Sequence, residues 1–152
     1  MNHIKIKFKE RFKRLYSIKK ATEGSAGFDL MAAVTEELEV APSQSILIPC
    51  GFSIELPENF EAQVRPRSGL ALKNMVTVLN SPGTIDSDYR GEICVILINH
   101  SGETFFVKSG MRIAQIVFCK LPKILISETD SLSETSRGKG GFGSTGLEKV
   151  EK

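Results

Sequence analysis

Apolar and polar residues alternate with a period of two at several places along this chain. Ile4, Ile6 and Phe8 alternate with Lys5, Lys7 and Lys9, and Phe60, Ala62 and Val64 alternate with Glu61, Gln63 and Arg65. Successive side chains of a strand point to opposite faces, so both segments predict half-buried strands. Ser45 to Pro49 and Phe52 to Leu56 flank Cys50-Gly51 and predict two neighbouring strands. Met75 to Leu79, Thr104 to Val107, Ile113 to Phe118 and Ile124 to Ile126 continue the series. Ile93 to Ile98 is apolar on both faces, which is the pattern of a central strand. Only Ser68 to Lys73 predicts a helix, and a short one. Many short strands separated by turn residues predict an all-β sandwich or barrel.

The pattern stops near Glu128. From there to Lys152 the chain is rich in Ser, Thr, Gly, Lys and Glu and poor in apolar residues. This predicts a barrel domain over 1–127 followed by a flexible C-terminal arm over 128–152.

Composition adds bounds. A chain of 152 residues suits one domain, and 41% hydrophobic with 25% charged residues is ordinary for a globular one. No apolar run approaches a membrane span, and the N-terminus has no apolar signal region, so a cytoplasmic location is expected and a membrane partner is not. Cys50, Cys94 and Cys119 are odd in number and form no CxxC pair, so they read as reduced core thiols. Residues 1–20 carry eight Lys/Arg and one Glu, net +7, against +2 for the whole chain, so the other 132 residues sum to −5. The lysines of residues 5–9 follow the strand period and read as a solvated face. Nucleic acid is therefore not expected as the main partner.

Four segments carry residues that suit phosphate chemistry. Arg65-Pro66-Arg67-Ser68-Gly69 places a Ser-Gly pair where a strand meets the helix, and such a turn can offer N–H and hydroxyl groups to phosphate. Asn80 through Gly91 is turn-rich and predicts a hairpin lined by an amide, two carboxylates and a Tyr. Asn80 can pair with a base edge, and Asp86 can deprotonate a water. Taken alone, both read first as local backbone caps of a turn. Gly110-Met111-Arg112-Ile113-Ala114-Gln115 sets a Gln in an apolar strand. Arg137 to Gly146 combines five glycines with Arg137, Lys139 and Phe142, although it lacks the Walker A spacing. Only two histidines are present, and neither lies near a nucleophile turn, so serine-hydrolase chemistry and a His-ligated metal are excluded. The spacing of Asp29, Asp86 and Asp88 matches no dedicated metal cage.

Together with Ala26-Gly27-Phe28-Asp29-Leu30-Met31-Ala32-Ala33, these segments resemble the five ordered motifs of the trimeric deoxyuridine triphosphatase (dUTPase) family, bacterial type. The second is Pro66 to Ala71, the third Gly83 to Gly91, the fourth Gly110 to Gln115 and the fifth Arg137 to Gly146. The resemblance implies a jelly-roll-like β-barrel with one short helix. It also implies a homotrimer with active sites shared between subunits. The implied reaction is Mg²⁺-dependent hydrolysis of dUTP to dUMP and pyrophosphate by water attack on the α-phosphorus. This would keep uracil out of DNA and supply dUMP for thymidylate synthesis. By the same resemblance, Asp86 is the general base and Tyr89 packs under the deoxyribose. Asn80 and the backbone around Thr84, Ile85 and Cys94 read uracil. Arg67, Ser68, Gly69 and Gln115 hold phosphates from a neighbouring subunit. Arg137, Phe142, Gly143 and Ser144 belong to a lid, and Asp29 reaches Mg²⁺ through water. Two other readings remain at this stage. One is a dCTP deaminase on a related fold, which would need a Glu acting on C4. The other is a trimeric binding protein that keeps the fold without the reaction.

Overall fold

The computed structural model describes residues 3–16, 20–141 and 144. Ten strands and one helix follow in chain order: β1 (Lys5–Phe8), β2 (Phe28–Met31), β3 (Leu38–Val40), β4 (Ser45–Glu55), β5 (Phe60–Arg65), α1 (Ser68–Asn74), β6 (Val76–Val78), β7 (Gly83–Ile85), β8 (Glu92–Asn99), β9 (Phe105–Val107) and β10 (Arg112–Lys120). A 3-10 helix over Glu10–Leu15 follows β1. One sheet runs β1-β4-β8-β6 and the other β2-β10-β5-β7, while β3 and β9 form a separate ribbon. All the pairings are antiparallel. This is the expected all-β, jelly-roll-like architecture with one short helix.

Inward positions of both sheets share one apolar core, with Leu30, Ile48, Leu97, Val107 and Ile113 fully buried. In β8, Ile93, Val95, Leu97 and Asn99 are buried, and Cys94, Ile96 and Ile98 on the other face are half-buried. β8 is paired on both sides, by β4 and by β6, as its two-faced apolar pattern requires. Asn99 is the buried polar residue of this core. Its Nδ2 donates to the carbonyls of Val40 (2.8 Å) and Glu103 (2.7 Å), and its Oδ1 accepts from Ser101, so no polar atom is left unmet there.

Three expectations are corrected. Ser45–Leu56 is not two strands about a turn: β4 runs unbroken through Cys50-Gly51. Gly51 has φ 77°, a turn-like value that here makes a bulge inside the strand, because the β4–β8 register slips between Pro49 and Ser53. Asn80–Gly91 does not form a paired hairpin either. β7 pairs with β5 in one sheet and β8 with β4 and β6 in the other, so their connection crosses between the sheets. Finally, Ile124–Ile126 forms no strand and is 74%, 94% and 90% exposed along its three residues. Its β-forming composition finds no partner edge within one chain.

Candidate active site

The β7–β8 loop carries the densest chemistry. β7 is held by its ladder to β5, with Gln63 opposite Thr84 and Ala62 opposite Ile85. The next residues then leave the sheet, and the backbone N–H of Tyr89 donates to the Asp86 carbonyl at 3.2 Å to close a turn. Thr84, Ile85, Asp86, Tyr89, Glu92, Ile93 and Cys94 line a pocket of about 180 Å³. The Tyr89 hydroxyl donates to the Glu92 carbonyl at 3.1 Å, which folds the ring back over Gly91. A Cβ at Gly91 would fall on the Tyr89 ring, so only glycine leaves the ring this place. Asn80 is exposed, and its amide lies against Gly83. Burial, with the Glu92 charge second, raises the Cys94 thiol above the usual range, so the pocket wall is a neutral thiol. A cavity of this kind can hold a planar ring against backbone polar groups, with a carboxylate at its rim.

A second cluster lies on the other sheet. Asp29 on β2 faces two guanidinium groups: Arg67 Nε at 3.2 Å from Oδ1, and Arg112 Nη1 at 3.5 Å from Oδ2. Arg67 also donates from Nη1 to the Arg112 carbonyl at 3.2 Å. Gln115 sits opposite Asp29 across the β10–β2 ladder and opposite Arg65 across β10–β5. Its Nε2 donates to the Pro66 carbonyl at 3.0 Å, and a Cβ at Gly27 would come within 2.7 Å of its Oε1. Gln115 therefore points across the sheet toward the residue 65–68 turn rather than outward. Gly27, Asp29 and Gln115 line a pocket of about 270 Å³ with Ala21, Ser25 and Ala26. Ser68 and Gly69 open α1, both exposed, and nothing lies within 4 Å of a Cβ built at Gly69. This cluster can offer guanidinium, amide and hydroxyl donors to an anion.

Asp29 and Gln115 line one pocket, with Arg67 joined to it through its ion pair to Asp29, while Thr84, Ile85, Asp86, Tyr89 and Cys94 line another. In the arm, Arg137 is exposed and folds into a local turn, donating from Nε to the Gly140 carbonyl at 2.8 Å. Ser144 donates its N–H to the Gly141 carbonyl at 3.0 Å. Phe142 and Gly143 lie outside the described residues.

A family model described as dUTPase matches residues 13–146. A deoxyuridine 5'-triphosphate nucleotidohydrolase from Rhizobium rhizogenes is 56% identical over 128 residues, covering 83% of this chain and 82% of that protein. One of the same name from Rickettsia prowazekii is 58% identical over 127 residues, covering 84% and 86%. This chain belongs to the dUTPase family. Solved structures agree on the fold alone. A mutant dUTPase of Staphylococcus bacteriophage 80alpha with dUpNHpp aligns at a TM-score of 0.79 and 20% identity, over 97% of this chain and 100% of that one. A mutant dUTPase from phage phi11 of S. aureus, described as coordinating a structural Mg(II) ion, aligns at 0.73 and 16%, over 86% and 98%.

The first four motif-like segments of the sequence fall on β2, the β5–α1 turn, the β7–β8 loop and the start of β10, and the fifth lies partly outside the described residues. Two residues beyond the expected set stand in these clusters. Arg112 shares Asp29 with Arg67, and Glu92 lines the loop pocket. Arg112 lies inside the fourth motif, and a charge beside an apolar strand was the available signal. Glu92 follows the third motif directly and gave no signal of its own.

Proposed function

We propose that this dUTPase-family chain hydrolyses dUTP to dUMP and pyrophosphate in the β7–β8 pocket, with Asp86 as the general base. One observation carries the reading: a pocket lined by Thr84, Ile85, Tyr89 and Cys94 has Asp86 in its wall, in a chain of this family. Asp86 accepts a proton from a water as that water's oxygen bonds to the α-phosphorus. The bond from the α-phosphorus to the bridging oxygen breaks, and pyrophosphate leaves with the electron pair. Uracil is read by Asn80 and by the Thr84, Ile85 and Cys94 backbone. Cytosine would leave such groups unmet, at a cost of about 1–3 kcal/mol each. Tyr89 packs against the deoxyribose. Arg67, Ser68, Gly69 and Gln115 hold phosphates. Arg137, Phe142, Gly143 and Ser144 close over the substrate and exclude water.

Mg²⁺ fits this site only as a companion of the substrate. No group of three or more His, Cys, Asp or Glu side chains suited to a metal occurs among the described residues, and both oxygens of Asp29 already face guanidinium groups. A hard cation that keeps most of its waters and is held mainly by phosphates suits such a donor set, with Asp29 reaching it through water. Bound there, it would neutralise phosphate charge.

The reading includes a homotrimer with shared sites. Two features support it: the phosphate-suited cluster and the loop pocket are separate cavities in one chain, and the apolar run Ile124–Ile126 is exposed. Sedimentation equilibrium should give three times the chain mass, and an active monomer would refute the arrangement. Free Cys50, Cys94 and Cys119 accord with a reducing, cytoplasmic setting.

Pyrophosphate release measured across dUTP, dCTP, dTTP and UTP tests the function. Release from dUTP alone, falling to near background in Asp86→Asn with dUTP binding kept, is expected. Ammonia from dCTP, or near-normal turnover by Asp86→Asn, overturns it.

A further inference from the structure

The basic N-terminal segment reaches the reacting loop through one residue. Lys9 Nζ lies 2.5 Å from Glu92 Oε2, and Glu92 Oε1 accepts the Gly51 N–H at 2.9 Å. The backbone N–H of Lys9 in turn donates to the Gly51 carbonyl at 2.8 Å. Lys9, Glu92 and Gly51 thus form a closed ring of polar contacts that ties three elements together.

The β4 bulge explains why the ring exists. Between the pairs Pro49–Cys94 and Ser53–Glu92, three β4 residues face the single residue Ile93. A bulge leaves backbone groups without ladder partners, and a buried N–H or C=O must find another. Gly51 sits at φ 77°, and a Cβ there would come within 2.8 Å of the Phe12 and Ala33 side chains. Glycine is therefore required, and its freed N–H and C=O go to Glu92 and Lys9. Glu92 also lines the loop pocket, and its carbonyl accepts the Tyr89 hydroxyl at 3.1 Å. Its backbone holds one side of the loop while its side chain holds the bulge.

We propose that Lys9 and Glu92 are positioning residues for dUTP hydrolysis, a strap that fixes how the Asp86–Tyr89 loop sits over the sheet. The proposal rests on the reading of that loop as the base and sugar site. Glu92 acts through Tyr89 and Gly51 and touches no reacting atom. The carboxylate is half-buried, with a 22% exposed side chain, so removing Lys9 leaves a charge that must find water. It does so by pulling away from Gly51, and the loop moves with it.

The test uses the full-length chain and steady-state pyrophosphate release with dUTP and UTP. Lys9→Met should lower kcat/KM for dUTP about 10-fold or more, and should lower the preference for dUTP over UTP, because misplacing a positioned group by about 1 Å costs up to about 100-fold. Glu92→Gln keeps an oxygen for the Gly51 N–H and needs no cation. Combined with Lys9→Met, it should therefore rescue kcat/KM and the sugar preference. A purely stabilising role would shift thermal unfolding of Lys9→Met without moving the ratio of dUTP to UTP turnover. Wild-type kcat/KM and sugar preference in Lys9→Met, or no rescue by Glu92→Gln in the double variant, overturns the strap. Absence of dUTP turnover in the wild-type chain would instead overturn the functional reading beneath it.

Discussion

Gly91→Ala is the smallest change that should separate sugar selection from folding. The atoms nearest to a Cβ at this position are Oη, Cζ and Cε2 of Tyr89. These belong to the far end of a side chain, and the ring is 46% exposed, so the ring can swing away without disturbing the core. The fold loses the Tyr89–Glu92 hydrogen bond, a net of about 0.5–1.5 kcal/mol. For a chain of this size that corresponds to a fall of a few degrees in Tm at about 2–4 °C per kcal/mol. Function loses more. On the proposed packing of Tyr89 against the deoxyribose, which leaves no room for a 2′-hydroxyl, a displaced ring admits that group, and one small group in a fitted pocket is worth about 1–3 kcal/mol, or about 10- to 200-fold. The assay is kcat/KM for dUTP and UTP in four proteins: wild type, Gly91→Ala, Tyr89→Ala and the double variant. The ratio of dUTP to UTP should fall in each single variant, and Gly91→Ala should add nothing once the Tyr89 ring is gone. Additive losses in the double variant, or an unchanged ratio in Gly91→Ala, would refute the reasoning.

Truncation before Arg137 should reduce turnover to near background while leaving Tm within a degree or two, since residues 128–139 are exposed; unchanged kinetics would remove the lid from the mechanism. Tyr16→Phe should lower Tm, because the Tyr16 hydroxyl accepts the Met31 N–H (3.1 Å) and donates toward the Cys50 carbonyl (2.8 Å), and leaving such groups unmet costs about 1–3 kcal/mol. Burial raises the Tyr16 phenol above its ordinary value, so the stability it confers is complete below a pH of about 10 and is lost as pH rises through the folded pKa. Denaturant titrations from pH 8 upward should show an alkaline decline that Tyr16→Phe flattens, and an equal decline in both proteins would count against this.

What was legible in the sequence was local. A period of two locates β1 and β5, and short apolar runs between turn residues locate β8 and β10, because each buries one face or both on the core. Gly51 misled for a physical reason: a glycine at positive φ serves equally as a turn or as a bulge, and only the β8 partner distinguishes them. The loop from Asn80 to Gly91 misled in the same way, since turn residues announce a reversal but not which sheet receives the next strand. The contacts that shape the site are longer still. Lys9 and Glu92 are 83 residues apart, and no spacing rule joins them. The motifs led to the family where periodicity could not, because each is a pattern of residue types within a few positions, as Asp86 to Gly91 is.

The Asp29–Arg67–Arg112 cluster poses a question of free energy that bears on the phosphate grip. If these ion pairs were strong, a triphosphate would have to break them before Arg67 could serve it. They are open instead: Arg67 is 34% and Arg112 59% exposed along their side chains, and pairs exposed to this degree contribute only about 0–1 kcal/mol. Asp29 therefore orients the guanidinium groups at little cost to release them. A triphosphate carries several negative charges against the single one of Asp29, so it can displace the carboxylate. The freed Asp29 carboxylate is then the group available to the waters of a cation that arrives with the phosphates. The same three residues would in this way orient one another and exchange partners when substrate binds.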